Sequence, residues 1–502
     1  MQTNGPNYRL SENKRQFLYL TLFLLFVIRV TMMISTPLAD TTESRYAEIG
    51  RKMVETNNWI TPQYDYGVPF WAKPPLSTWA SALGMKLFGV NQFGSRFFLF
   101  VIGIAMCLMT YQWLKKLRDR DYALIVVTIL ASTTIFFISA GMVITDLAMV
   151  CGTSISMMAF WTSMHSDQRR SRSGYLFFVG LAIGLLAKGP VAVVLTGIPI
   201  FLWVLLNNEW KKTWSKIPWI SGLAIMCVLA LPWYILAERA TPGFINYFII
   251  GEHFNRFVVS GWEGDLYGHA HSRTIGTIWV YWLLTTLPWS PLILVCAVKA
   301  YIHRKKLSLW KQGWLSYLIL WTIAPLLFFT PARNIIPSYS LSAVVGCAIL
   351  TLELWTLVHG KASENKQNAV YLSSVGFSFI AFITVFILFT YMPEKTSKFS
   401  ANVVIDALKA HSHSTYQPLY FYGKNRSYSV EFYTRGRVIR VPDTKALTQL
   451  LENESRDYLC INPDDYKRLE AEFRDRFKVV KSWQKQILLQ EIPSNHLAAQ
   501  TN

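Results

Sequence analysis

Charged residues set into or beside apolar stretches are the groups in this sequence most able to do chemistry. Asp40, Glu43 and Arg45 follow directly on the first apolar run, and Lys73 lies in the aromatic, proline-rich stretch Phe70-Trp71-Ala72-Lys73-Pro74-Pro75. Asp146 sits inside an apolar run and Lys188 ends another. Glu252, His253 and Arg256 fall in one loop, and Arg333 and Tyr339 at the start of a later run. An acid within an apolar segment is costly unless it is paired or functional, so Asp146 is the hardest to dismiss. The others each have a plain alternative: Lys188 and Arg333 can snorkel to headgroups, Asp40 can cap the helix that follows, and a lone histidine is more often structural than a ligand. Taken together they suit transfer of a group from a phosphate-bearing lipid. The leaving phosphate needs fixed positive charge, which Lys and Arg supply in a partly dry site. An incoming hydroxyl needs a carboxylate to accept its proton or orient it. An acceptor that is itself a phosphate is already an anion and needs orientation more than a base.

Membrane-spanning helices must position these groups. Of 502 residues, 52% are hydrophobic and 16% charged, with a mean hydropathy of +0.26. A soluble domain of average make-up is nearer a quarter charged. So large an apolar excess cannot be hidden in one globular core, which excludes a soluble enzyme, a disordered chain and a disulfide scaffold. About eleven runs are long and apolar enough to cross a bilayer, which takes roughly 20 residues each: 16–34, 94–114, 122–140, 142–163, 174–187, 189–206, 217–237, 274–300, 314–330, 335–358 and 369–391. The fifth and sixth are short and share the break at Lys188-Gly189-Pro190. No small-x-small site follows Ile34, so the first run reads as an uncleaved anchor. Lys and Arg in alternate short loops number nineteen on the side of the N-terminus and five on the other, which makes the N-terminus cytoplasmic. The net charge of +19 then reflects cytoplasmic loops beside anionic lipid, and no nucleic-acid partner is expected. An odd span count puts the C-terminus outside, and the residues named above all fall on that outer face. Cys460 is the only one of six cysteines in a polar region, and no CxxC or Cys/His cluster occurs, so neither disulfides nor a cysteine metal site is expected.

Two outer segments are large. Residues 35–93 form the first outer loop, where the apolar positions from Tyr46 to Val54 have helical spacing and suggest a helix lying along the interface. From Pro393 onward strand-like runs (Pro418–Tyr422, Val438–Val441, Tyr458–Ile461, Ile487–Ile492) alternate with helix-like ones (Asn402–Ala410, Thr444–Glu452, Pro463–Arg474). That is the rhythm of a small α/β domain. It lacks a Gly-rich phosphate loop, so it guides, docks or stabilises rather than catalyses. The expected architecture is an all-α membrane domain over residues 1–392, with about 11 transmembrane helices and a first periplasmic loop at 35–93, followed by a periplasmic α/β domain over 393–502.

The first outer loop also carries a family resemblance. Asp40-Thr41-Thr42-Glu43-Ser44-Arg45-Tyr46, Asn58-Trp59-Ile60-Thr61-Pro62 and Phe70-Trp71-Ala72-Lys73-Pro74-Pro75 resemble the corresponding loop of C-type (GT-C) glycosyltransferases that use polyprenyl-phosphate sugars. These include the protein mannosyltransferases and the lipid A aminoarabinose transferase. Thr145-Asp146, Ala187-Lys188-Gly189, Glu252-His253-Phe254-Asn255-Arg256-Phe257, Leu287-Pro288-Trp289 and Arg333 through Pro337 to Tyr339 extend the likeness over roughly residues 16–345. A C-terminal outer domain is also expected for this branch.

The resemblance implies an enzyme of the bacterial inner membrane. Such an enzyme moves a sugar from a polyprenyl-phosphate carrier to lipid A, another envelope glycan or a protein at the periplasmic face. It implies a catalytic acid near Asp40 and Glu43, a second acid at Asp146, and donor-phosphate contacts from Arg45, Lys73, Lys188, Arg256, Arg333 and Tyr339. There are two departures. Lipid A transferases usually show a shorter Asp-Glu-x-Arg-Tyr, whereas Asp40 stands five residues before Arg45, so Asp40 and Glu43 compete for the catalytic role. The residue before the lysine is commonly Glu and is Ala72 here. A divalent metal ion, with Glu252 and His253 as weak ligand candidates, therefore stays open and no cofactor is assigned. The alternative reading is a transporter or flippase of an anionic lipid or solute, but transporters tend toward midplane sites and repeat symmetry, and neither is visible.

Overall fold

The computed structural model describes residues 10–168, 171–255, 262–268, 272–302, 313–359, 364–411, 418–423, 426–452 and 457–492. The chain begins with α1 (Glu12–Ser35), which leads into a first loop made of α2 (Thr42–Thr56), a β1–β2 hairpin (Gln63–Asp65, Val68–Pro69) and α3 (Leu76–Phe88). There follow α4 (Gln92–Leu117), α5 (Arg120–Ser132), α6 (Thr134–Ser139), α7 (Thr145–Met164), α8 (Arg172–Lys188), α9 (Val191–Asn207), α10 (Trp210–Lys216) and α11 (Trp219–Ala240). Side chains fix several of these starts: Asn91 accepts from Gly94 N–H at 2.8 Å and Asp119 from Tyr122 N–H at 2.7 Å, each capping the helix behind it.

Helix occupies each of the eleven apolar runs, but the count of eleven spans is not reached. Among the described residues six helices are long and apolar enough to cross a membrane: α1, α4, α7, α11, Pro337–His359 and Ala369–Tyr391. The pair Thr277–Thr285 and Ser290–Ile302, bent by 110°, makes a seventh if it is one span. The reason is length. Both α9 and Gly313–Phe329 have 17 residues, about 26 Å of helix against a hydrocarbon core of about 30 Å. The run at 122–140 is divided at Thr133 into α5 and α6.

Helix α7 is buried along most of its length and runs antiparallel to α8 across a seam of small residues. A Cβ on Gly152 would stand 2.5 Å from Gly180 O, and one on Gly180 2.4 Å from Ser156 Oγ. With side chains this small the two backbones approach closely, as small-xxx-small seams allow in membranes. The seam brings the start of α7 against the end of α8.

Five strands near the C-terminus form a sheet in the order β4-β3-β5-β7-β6, with β3 (Leu419–Tyr422), β4 (Val438–Val441) and β5 (Tyr458–Ile461) parallel. The last two strands, β6 (Phe477–Ser482) and β7 (Ile487–Glu491), are antiparallel to their neighbours. Central β5 is buried on both faces: Tyr458 and Cys460 pack with Val403 and Val404, Leu459 and Ile461 with Leu447 and Leu450. Four strands lie where the apolar runs put them. Strand β6 escapes the pattern because it is an edge strand carrying Lys478 and Lys481, and the run Pro463–Arg474 splits into Pro463–Arg468 and Ala471–Arg474.

The first-loop helix departs from the sequence expectation. Residues 46–53 of α2 are all buried, including Arg51 and Lys52, and α2 packs between α3 and the helix Tyr428–Tyr433. It is an internal element, held under the C-terminal unit. Its charges find partners there: Arg51 makes two 2.8 Å bonds to Glu48, while Lys52 reaches Tyr64 O at 3.0 Å and lies 3.8 Å from Glu431.

Candidate active site

The α7–α8 seam delivers Asp146, in the first turn of α7, to Lys188, the last residue of α8. Lys188 Nζ donates to Asp146 Oδ1 at 2.6 Å, both side chains being buried. Lys188 Nζ also stands 4.2 Å from the centroid of the Tyr339 ring, a cation–π contact. No described residue donates to Asp146 Oδ2. Gly189 then turns the chain at φ +88, where a Cβ would strike the Phe248 ring, so glycine alone suits the position.

That turn exposes Lys188 O to His253, whose Nε2 lies 3.2 Å away while Nδ1 lies 2.8 Å from Phe248 O. Burial pushes the His253 pKa down, the Phe248 carbonyl opposing it. Next to it, Glu252 accepts from Lys73 Nζ at 2.7 Å and from Tyr247 OH at 3.3 Å. Lys73, Glu252, His253, Lys188, Asp146 and Tyr339 therefore form one connected chain of contacts. It links five separate stretches of sequence.

Arg45 lies beside this chain. Its Nη1 donates to Tyr267 O at 2.7 Å, and Tyr267 OH bonds Pro69 O and Trp71 N–H in the segment that leads to Lys73. Arg333 is apart: its carbonyl accepts from Arg273 N–H at 2.9 Å, its side chain is exposed, and among the described residues nothing ties that side chain to the cluster. Arg256 lies outside the described residues.

The two first-loop acids are fully engaged elsewhere. Glu43 accepts from Arg96 Nε at 2.8 Å and Nη2 at 2.9 Å, and from Ala39 N–H at 3.0 Å. Burial works to raise its pKa, but Arg96 outweighs it and the carboxyl is held below its ordinary value. Asp40 accepts from Ser429 N–H at 3.0 Å, from Ser427 Oγ at 3.2 Å, and from the hydroxyls of Ser44 and Ser429. Burial nonetheless pushes its pKa up.

Sequence reasoning missed Arg96 and Arg29. Arg96 also donates to Thr36 O at 2.7 Å and Pro37 O at 3.1 Å. Arg29, inside α1, donates to Ala140 O at 2.5 Å and Ile138 O at 2.9 Å. The available signal was the same one that marked Asp146, a charge at membrane depth.

A divalent metal finds no ready ligand set. Among the described residues no three His, Cys, Asp or Glu side chains converge. Glu252 is occupied by Lys73, and both His253 nitrogens face carbonyl oxygens.

Residues 15–248 match the family model described as dolichyl-phosphate-mannose-protein mannosyltransferase. The undecaprenyl phosphate-alpha-4-amino-4-deoxy-L-arabinose arabinosyl transferase of Erwinia tasmaniensis is 28% identical over 355 residues, covering 69% of this chain and 60% of that protein. The Pseudomonas aeruginosa PAO1 protein of the same description is 28% identical over 320 residues, 61% of this chain and 54% of its own length. The chain thus spans 60% or less of the length of these two relatives. In fold it is similar to ArnT from Cupriavidus metallidurans bound to undecaprenyl phosphate, at a TM-score of 0.74 and 17% identity, over 95% of this chain and 98% of that one. The oligosaccharyltransferase of Archaeoglobus fulgidus in the apo form aligns at a TM-score of 0.50 and 10% identity, over 91% and 71%. The chain therefore has the ArnT fold, and over residues 15–248 its sequence resembles the GT-C membrane glycosyltransferases.

Proposed function

We propose that this protein is an integral membrane glycosyltransferase that moves a sugar from a polyprenyl-phosphate carrier to a lipid A, glycan or protein acceptor at the periplasmic face of the inner membrane. The supporting observation is the chain Lys73–Glu252–His253–Lys188–Asp146, buried at Glu252, Lys188 and Asp146, in which two lysines are fixed beside two carboxylates. In transfer, an acceptor oxygen bonds to the anomeric carbon while the bond to the lipid phosphate breaks. Lys73, Lys188 and Arg45 would take up the charge that develops on the leaving phosphate, held in place beforehand by their acid and carbonyl partners. Tyr339 keeps Lys188 in position through its ring face. Arg256 and Arg333 remain proposed phosphate contacts.

Among the acids, Asp146 is the best placed to receive a proton from an acceptor hydroxyl, since its Oδ2 is open while Asp40 and Glu43 have their oxygens filled. The division at residue 393, with the membrane part before it and a periplasmic unit after it, belongs to the same reading, as does a cytoplasmic N-terminus.

The test is transfer from a synthetic short-chain polyprenyl-phosphate sugar by purified full-length protein, alongside mass spectrometry of lipid A and envelope glycans from a deletion strain. Alanine at Lys73, Lys188 or Arg45 should each lower turnover per folded molecule by on the order of 10²-fold. Arg45→Lys should not fully rescue, because a point charge does not replace a guanidinium fork. Unchanged turnover in all three alanine variants would overturn the lipid-phosphate donor, and an unchanged envelope in the deletion strain would favour the transporter.

A further inference from the structure

Four consecutive residues of the C-terminal unit, Arg426-Ser427-Tyr428-Ser429, reach into the first loop and close around Asp40 and Arg45. Ser427 Oγ and Ser429 N–H donate to Asp40 at 3.2 and 3.0 Å, the Ser429 hydroxyl donates as well, and Asp40 N–H returns a bond to Phe399 O at 2.6 Å. With Ser44 Oγ, four donors fill the two carboxylate oxygens, close to the full acceptor capacity of the group. Between the two serines stands Tyr428. Its hydroxyl meets that of Tyr64 at 2.6 Å, and its ring faces the Arg45 guanidinium at 5.9 Å. On the other side, among the described residues, Arg45 hydrogen-bonds through Nη1 to Tyr267 O and lies over the Tyr46 ring at 5.5 Å, which leaves Nη2 for a ligand.

Resting on the glycosyltransferase reading above, we propose that Asp40 is a positioning residue. It pins Ser427 and Ser429, and the pinned segment sets Arg45, through Tyr428, for the donor phosphate. A proton acceptor in the first loop would need a lone pair facing substrate, and Asp40 has none to offer. The arrangement also gives the C-terminal unit a part in donor binding. That unit supplies one wall of the Arg45 pocket.

The experiment compares Asp40→Ala, Asp40→Asn, Ser427→Ala/Ser429→Ala and their combination in the full chain. Two quantities are read: affinity for a synthetic short-chain polyprenyl phosphate, and kcat and KM for the corresponding sugar donor. Asparagine presents its oxygen to Ser429 N–H and its amide to hydroxyls that can turn to accept. Asp40→Asn should therefore keep kcat within about tenfold of wild type, where loss of a proton acceptor typically costs about 10²–10⁴. Asp40→Ala and the double serine variant should each weaken lipid-phosphate binding and raise donor KM by about tenfold, with kcat less affected. Their combination should be no worse than either alone, because the groups act as one unit. A 10²-fold or larger fall in kcat for Asp40→Asn beside normal serine variants would make Asp40 the base and overturn the proposal. So would unchanged lipid-phosphate binding in the double serine variant. A wild-type chain that binds the lipid phosphate but transfers no sugar would sink the glycosyltransferase reading instead, leaving the clamp to be judged on binding.

Discussion

Glu43 and Asp146 are both buried carboxylates paired with a cation, yet they are built for different tasks. Glu43 meets Arg96 through two oxygens and a planar fork, and that arginine also gathers the carbonyls that end α1. Asp146 meets Lys188 through one oxygen. Removing one partner of a buried pair leaves an uncompensated charge, at a cost of about 3–5 kcal/mol. Arg96→Ala should therefore lower thermal stability in detergent by that order, with activity lost only as folded protein is lost. Asp146→Asn keeps an oxygen for Lys188 Nζ, so it should cost less stability than Arg96→Ala while kcat falls about 10²–10⁴-fold. Equal losses of fold in both variants would leave Asp146 no more than a structural partner. The contrast could not be read from the sequence. Glu43 stood out as the acid of a motif, and Arg96, 53 positions later, read as the edge of an apolar run.

At the scale of elements, periodicity and punctuation carried most of the reading. The break at Gly189 and four of the five C-terminal strands follow from apolar runs and their interruptions, whereas the division at Thr133 lies inside a run that reads as one span. What periodicity cannot give is which faces meet. The Gly152–Gly180 seam, on which the Asp146–Lys188 pair depends, was legible only as two glycines in two apolar runs. Gly180→Leu should force α7 and α8 apart, because even a Cβ at that position meets Gly152 O at 2.5 Å. The expected result is a chain that still inserts but has turnover reduced at least tenfold, checked by activity against folded yield. Normal turnover would mean that the pair forms without the seam.

The sheet holds a pH-dependent element of its own. Glu491 on β7 is buried with neither carboxylate oxygen hydrogen-bonded. Burial, then repulsion from Asp457, pushes its pKa up to about 7, while Arg476 at 3.7 Å acts the other way and Tyr420 lies near both acids. The folded chain thus keeps this proton over a window, from about 4.5 to about 7, in which the unfolded chain has released it. Stability should fall as pH rises through that window. Protease resistance of the C-terminal unit in the full chain should drop between pH 5 and pH 8. Glu491→Gln should flatten the drop, and a wild-type profile that rises with pH would contradict it.

Across the whole molecule, polar structure gathers in two layers. One holds the Lys73-to-Asp146 chain and the clamp between the first loop and the C-terminal unit. The other is a knot in which Glu353 Oε1 accepts from Arg118 at 2.9 Å, Tyr122 OH at 2.8 Å and Trp314 Nε1 at 2.9 Å. The knot lies where the sequence places its basic loops, with Lys115, Lys116 and Arg120 around Arg118. Counting charge in short loops makes that layer the expected cytoplasmic one, because Lys and Arg are retained on the cytoplasmic side. The docking of the C-terminal unit was invisible to such counting. It rests on pairs such as Asp40 with Ser429, 389 positions apart, between residue types that are common on any surface. Once seen, the docking constrains topology: Asp40 and Ser429 share one layer, so the first loop and the C-terminal unit must lie on the same side of the membrane. A reporter active only in the periplasm, fused after residue 450, should work, and so should one inserted near residue 57, at the end of α2. Activity at one position and silence at the other would break the clamp. Silence at both, with a cytoplasmic reporter active at each, would turn the protein over and place its acids and cations against the cytoplasmic leaflet.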